Sequence, residues 1–171
     1  MDTKLKKIDM YFEYNSLKYD NDTKLYTGHI EFLEMPLTYL DCSKCNLVSF
    51  PEILNDNIGK INCQINFLQE LPAIMPKYLI ELYCYCNKLQ YLPNTISYCL
   101  QKLWCSKNNI SELPELPFSI YILIIRDNPI SSLSAHNQNV VAKIYNNRKI
   151  NRVFNCRNTP LYKGRYTSIY W

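Results

Sequence analysis

Glycine is nearly missing from this chain: three residues among 171, Gly28, Gly59 and Gly164. No glycine-rich loop can therefore be assembled to cradle a phosphate, which excludes the nucleotide-binding classes built on such loops. Histidine occurs only twice, as His29 and His136, too sparsely for histidine-based catalysis or metal ligation to be a theme of the sequence. No stretch approaches the ~18 uncharged apolar residues that a membrane-crossing helix needs. The opening Met-Asp-Thr-Lys-Leu-Lys-Lys-Ile-Asp lacks the apolar run of a secretory signal. The expectation is a soluble cytoplasmic protein with no membrane association, in which the eight cysteines remain thiols. Acid is missing from the end of the chain. Residues 128–171 hold seven basic residues and no Asp or Glu, leaving 12 basic against 15 acidic in residues 1–127, a balance of −3 within a total of +4.

What is present is a period. Phe50-Pro51, Leu71-Pro72, Leu92-Pro93 and Leu113-Pro114 recur every 21 residues, and internal repetition of that length signals stacked supersecondary units. Around these marks one phrase returns: Leu37, Leu40, Cys42, Cys45, Leu47; then Ile58, Ile61, Cys63, Asn66, Leu68; then Leu79, Leu82, Cys84, Asn87, Leu89. Leu100, Leu103, Cys105, Asn108 and Ile110 follow, and a shorter copy runs Ile120, Leu123, Ile125, Asn128 and Ile130. In a strand of period two the Leu and Cys positions face inward and their neighbours outward. One such phrase cannot bury its own apolar side, so the copies must stack into a continuous core.

The pattern Leu-x-x-Leu-x-(Cys or Leu)-x-x-(Asn or Cys)-x-Leu resembles the leucine-rich repeat family. The resemblance implies an α/β solenoid: a right-handed curved stack with a parallel β-sheet on its concave face and caps at both ends. Pro72, Pro76, Pro93, Pro114 and Pro117 in the return segments lack the donors a helix needs, so the convex side is expected to be mostly extended or irregular. The expected organisation is an N-terminal cap over 1–36, five repeats over 37–133 starting near 37, 58, 79, 100 and 120, and a basic C-terminal cap over 134–171. Ile8, Met10, Phe12 and Tyr14 suit a capping strand, and Val140, Val141, Ile144 and Tyr145 have helical spacing that Ile150, Val153 and Phe154 extend. Leu113-Pro-Glu-Leu-Pro117 is similar to the short repeats of secreted bacterial effectors, some of which carry a ubiquitin-ligase domain after the repeats. The roughly forty residues that follow here are too few for one. The Asn, Ile, Lys and Tyr bias resembles that of viral proteins from AT-rich giant viruses of amoebae, or of some protists.

The recurring amides call for a reason of their own, since a buried amide is costly unless hydrogen-bonded. Asn66, Asn87, Asn108 and Asn128, with Cys45 in the first copy, are expected to form a structural ladder that pairs backbone groups where the chain leaves each strand. Asn87→Ala should then cost more than Asn109→Ala. Cys42, Cys63, Cys84 and Cys105 read as small buried hydrophobes. Cys42-x-x-Cys45 and Cys84-x-Cys86 raise a metal site, but zinc needs converging ligands and a ladder spreads its sulfurs along a line. Neither a metal nor any other cofactor is expected. Asn21-Asp-Thr23 and Asn109-Ile-Ser111 match the glycosylation pattern, and with no secretory signal expected both matches are read as chance.

The resemblance implies that protein partners are recognised on the concave face. By position, the candidate binding residues there are Tyr39, Asp41, Lys60, Asn62, Glu81, Tyr83, Tyr85, Lys102, Trp104 and Arg126, with Ile122 and Ile124 outward in the fifth strand. Ser43, Gln64 and Ser106 sit at the same position as Tyr85, just beyond the strand. Tyr83, Tyr85 and Trp104 fall on adjacent repeats, and residues of these types dominate interface energies. No catalytic residue is assigned: apart from the inward and ladder cysteines only Cys86, Cys99 and Cys156 remain, and no acid pair recurs. The expected function is a non-enzymatic interaction module or scaffold, monomeric or weakly homodimeric, with a protein partner. The alternatives are nucleic-acid or acidic-partner association through Lys143, Arg148, Lys149, Arg152, Arg157, Lys163 and Arg165, interleaved with Tyr162, Tyr166, Tyr170 and Trp171, or an adaptor arm for a separate enzyme such as a ubiquitin ligase.

Overall fold

The architecture is seen in a computed structural model that describes residues 18–20, 25–27, 39–50, 54, 56–146, 153–163 and 169–170. Ile8, Met10, Phe12, Tyr14, Leu37, Pro51 and Ile150 lie outside the described residues. Strands β1 (Lys18–Asp20) and β2 (Leu25–Thr27) form an antiparallel pair of their own. The repeats supply β3 (Tyr39–Asp41), β4 (Lys60–Asn62), β5 (Glu81–Tyr83), β6 (Lys102–Trp104) and β7 (Ile122–Ile124). Helix α1 (Ala135–Asn146) comes next, followed by β8 (Val153–Asn155), a 3-10 turn (Pro160–Lys163) and β9 (Ile169–Tyr170). Strands β3 to β9 make one seven-stranded sheet in chain order. The first six run parallel, and β9 is antiparallel to β8.

Each repeat strand is three residues long, with its central side chain inward and its two flanking ones half-exposed. The register aligns Leu40, Ile61, Leu82, Leu103, Leu123 and Phe154 into one buried column. Two residues on, Cys42, Cys63, Cys84, Cys105, Ile125 and Cys156 form a second column, also buried. Stacking leaves almost none of this apolar surface to water, which is the main term favouring the fold, on the order of 1.5–3 kcal/mol for each large side chain. The described return segments between β4 and β7 contain no helix, and tight turns close them, with Leu79, Leu100 and Ile120 donating from their backbone N–H to Pro76, Ser97 and Pro117.

The sheet continues past the fifth repeat. Phe154, Cys156, Thr159 and Leu161 occupy the Leu, Cys, Asn and Leu places of the phrase, at an interval of 31 residues rather than 21. The longer interval accommodates α1 as the return segment between β7 and β8. Ser134 caps it, its Oγ accepting from Asn137 N at 3.1 Å. Asn137, Val140, Val141 and Ile144 form its buried face, at the spacing of one helix side.

Scarce glycine leaves a structural cost. Lys44, Ile65, Cys86, Lys107, Asp127 and Asn158 have φ between 53° and 60°, and each immediately precedes a ladder position. The chain turns out of every strand through a left-handed residue, a conformation for which glycine is the unstrained choice and a β-branched residue the worst. Hydrogen bonding to the next repeat holds it there: Lys44, Ile65, Cys86, Lys107 and Asp127 donate to the carbonyls of Gln64, Tyr85, Ser106, Arg126 and Arg157 at 2.9–3.0 Å.

Candidate functional site

Because the strands pair residue for residue, outward side chains 20 or 21 apart in sequence become cross-strand neighbours. Tyr39, Lys60, Glu81, Lys102 and Ile122 form one row, and Asp41, Asn62, Tyr83, Trp104 and Ile124 the other. Glu81 lies at the centre. Lys102 Nζ is 2.6 Å and Lys60 Nζ 3.3 Å from its carboxylate, and the Tyr83 hydroxyl donates to it at 2.9 Å. Burial opposes ionisation of Glu81, but the hydrogen bonds from Lys102 and Tyr83 and the charge of Lys102 outweigh it and hold its carboxyl below the usual range. Burial and the same hydrogen bond push the Tyr83 phenol up to about 12, so it stays a donor. The hydrogen bond to Glu81 raises the Lys102 ammonium despite some burial. Lys60 also lies over the Tyr39 and Tyr83 rings, at 5.0 and 5.2 Å from their centroids. The Tyr39 hydroxyl donates to Asp41, which also accepts from Ser43 N and Oγ. The middle of the face is thus an internally satisfied polar network.

Beyond it the surface becomes apolar and cationic. Trp104 meets Tyr83 edge-on, centroids 5.2 Å apart at 70°. Its indole Nε1 is shielded from solvent and has no hydrogen-bond acceptor among the described residues. A cup of about 450 Å³ opens beside it, lined by Ile65, Tyr85, Trp104, Lys107, Ile124 and Arg126, with Cys86, Ser106 and Asn155 completing the wall. Tyr83, Tyr85 and Trp104 are each half-buried, and Tyr85 and Trp104 share the cup. Arg126 is exposed, 3.7 Å from Asp127. Of the residues just beyond the strand, Ser43 and Ser106 are buried, Gln64 and Tyr85 half-buried and Arg126 exposed.

The ladder amides are saturated. Asn66 Oδ1 accepts from Cys45 N and Leu47 N at 2.9 and 3.0 Å, while its Nδ2 donates to Cys42 O and Cys63 O. Asn87, Asn108 and Asn128 accept from Leu68 N, Leu89 N and Ile110 N. Each also donates to a carbonyl of its own repeat and one of the previous repeat. Cys45 is buried, its thiol 3.3 Å from Ser43 O. Two further polar supports escaped the sequence reading. Thr159 Oγ1 donates to Cys156 O in the sixth repeat. Asn137, buried on α1, accepts from Leu116 N at 2.9 Å and donates to Pro114 O at 2.8 Å. An Asn 21 residues after the Leu-Pro-Glu-Leu segment was the available signal.

Burial pushes the Cys63 and Cys105 thiols up to about 12, and raises Cys42 and Cys84 as well, with adjacent column cysteines adding to the effect. Among the described residues no three His, Cys, Asp or Glu side chains converge on one point, and no helix is long and apolar enough to cross a membrane. His136 is engaged with Leu116 O at 2.8 Å and with the Phe118 ring at 5.0 Å. Of the basic tail, Lys143 donates to Phe118 O at 3.0 Å and Arg157 is exposed. Arg148, Lys149, Arg152, Arg165, Tyr166 and Trp171 lie outside the described residues, as do the side chains of Lys163 and Tyr170.

No protein-family model and no curated protein matches the sequence. Solved structures do. The leucine-rich repeat domain of a Shigella effector superposes with a TM-score of 0.64 at 24% identity, covering 90% of this chain and 62% of that one. YopM from Yersinia enterocolitica gives 0.51 at 19% identity, covering 77% of this chain and 35% of its own. This chain therefore spans under two thirds of the length of either. At such identities the likeness is one of architecture, and the architecture of this chain is the leucine-rich repeat solenoid.

Proposed function

We propose that the chain is a non-enzymatic interaction module that recognises a protein partner on the outward face of its parallel sheet. The observation that carries this reading is the half-buried cluster of Tyr83, Tyr85 and Trp104 beside an open cup, on strands that the stack holds rigid. A preorganised surface binds with a reduced ordering cost, and aromatic anchors are where interface energy concentrates. Tyr39, Asp41, Lys60, Asn62, Glu81 and Lys102 form the polar network beside that cluster, their charges already paired or hydrogen-bonded at several points. Lys107 and Arg126 border the cup. The likeness to two effector repeat structures supports an interaction scaffold and is compatible with an arm that delivers targets to a separate enzyme.

The test is affinity capture from the native host cell, comparing wild type with a Tyr83, Tyr85 and Trp104 triple alanine variant whose circular dichroism matches wild type. A protein recovered with wild type and lost with the variant identifies the partner and its face. Equal recovery refutes the reading and transfers attention to the basic tail, where heparin retention should fall with salt.

A further inference from the structure

The cup beside Trp104 has a chemical character that the rest of the face lacks. Its apolar lining is Ile65, Tyr85, Trp104 and Ile124, with Cys86, Ser106 and Asn155 between them; its charged lining consists of Lys107 and Arg126, and no carboxylate lines it. The acids nearby are committed elsewhere. Glu81 is held by Lys60, Lys102 and Tyr83. Asp127 receives Asn158 Nδ2 at 2.7 Å and is only loosely paired with Arg126, at 3.7 Å. Lys107 has no ion pair among the described residues, and its backbone is fixed in the left-handed turn that places it on the wall. The Trp104 indole Nε1 beside the cup has no hydrogen-bond partner among the described residues, which leaves it a donor for an occupant.

We infer that this cup receives an acidic, apolar linear segment of a protein partner: a Phe, Tyr or Leu side chain against Trp104, Tyr85 and Ile124, with a flanking Asp or Glu carboxylate paired to Lys107 and Arg126. This rests on the reading that the outward sheet face is the binding face. The space of about 450 Å³ is at the small end of the range for ligand sites and suits two or three side chains rather than a folded surface. A positive rim over an apolar floor selects for opposite charge by electrostatic complementarity and rejects basic segments.

The experiment is selection of a phage-displayed random heptapeptide library on the full chain, followed by titration of enriched peptides against variants. Lys107 and Arg126 are both exposed, so K107E/R126E preserves the fold. Enriched peptides should carry Asp or Glu within two positions of Phe, Tyr or Leu. They should bind the double variant at least about tenfold more weakly, and selection on that variant should favour Lys and Arg. Pools without acidic enrichment, including a failed selection, or affinities unchanged in K107E/R126E, would overturn the acidic occupant. The two readings fail separately. A neutral or basic pool whose binding is lost in the Tyr83, Tyr85 and Trp104 triple variant retains the face and removes the acidic segment. A pool that binds the triple variant as tightly as wild type counts against the face itself.

Discussion

Replacing Asn108 by alanine should test the ladder directly, because its neighbour Asn109 offers a control of the same chemistry one residue away. Asn108 is buried; Asn109 is exposed. In Asn108→Ala the Leu89 N–H loses the acceptor it has at 3.0 Å, and an orphaned buried donor costs about 1–3 kcal/mol. The donated bonds cost less than their number suggests. Cys84 O also accepts from Asn87 at 3.1 Å, Cys105 O from Asn128 at 2.9 Å, and Ser106 O from Cys86 N at 2.9 Å. None of these carbonyls is left bare, so each lost bond contributes about 0.5 kcal/mol, the low end of its net worth. The total is about 3 kcal/mol, which for a chain of this size lowers Tm by about 6–12 °C. Asn109→Ala should stay within about 0.5 kcal/mol of wild type. Asn87→Ala, at a half-buried rung that donates to two carbonyls rather than three, should cost slightly less than Asn108→Ala. Thermal melts followed by circular dichroism read all three. Asn108→Ala and Asn109→Ala melting within 1 °C of each other would refute the account of the ladder.

Three other perturbations have defined outcomes. Ile65 is β-branched at φ 56° and 38% exposed, so Ile65→Asn should raise stability by about 1 kcal/mol by relieving left-handed strain; a drop in Tm would contradict that. Because Glu81 is held below its usual range in the folded chain, the unfolded state binds its proton first as pH falls, and the stability it supplies is present above the unfolded pKa of about 4.3 and lost as pH drops through the lower folded value. Glu81→Gln should therefore cost about 1 kcal/mol at pH 7 and progressively less as the pH falls below the unfolded value; a gap independent of pH would sink the assignment. With their thiols raised by burial, the column cysteines should resist iodoacetamide at pH 8 in the folded chain. Native mass spectra should show adducts on Cys86 and Cys99 alone among the eight free cysteines, with all eight modified in denaturant; an adduct on Cys63 or Cys105 under native conditions would contradict the stacked core.

The parts of this molecule that repeat were legible because repetition amplifies a weak signal. A single Leu-x-Cys is uninformative, but Leu40-x-Cys42 followed by Ile61-x-Cys63, Leu82-x-Cys84 and Leu103-x-Cys105 at one interval can be buried together only by stacking. The sixth strand was not legible. Phe154 and Thr159 stand where Leu and Asn would mark a repeat, and the interval stretches to 31 residues around α1, so only Cys156 and Leu161 kept the repeat's residues, out of phase with the earlier copies. Left-handed turns also escaped notice, since glycine normally announces them and here Ile65, Cys86 and Lys107 adopt the conformation under hydrogen-bond constraint.

The sequence by itself determined the period, the inward columns and which residues face outward, because these follow from strand alternation and the need to bury one side of each repeat. Tertiary structure alone decided what the outward residues do to one another. Glu81 becomes the hub of a charge network, and Trp104 the wall of a cationic cup, only when the stack brings residues 21 apart within a few ångströms. Both depend on side-chain reach, burial and rotamer across neighbouring strands, quantities that no single repeat carries.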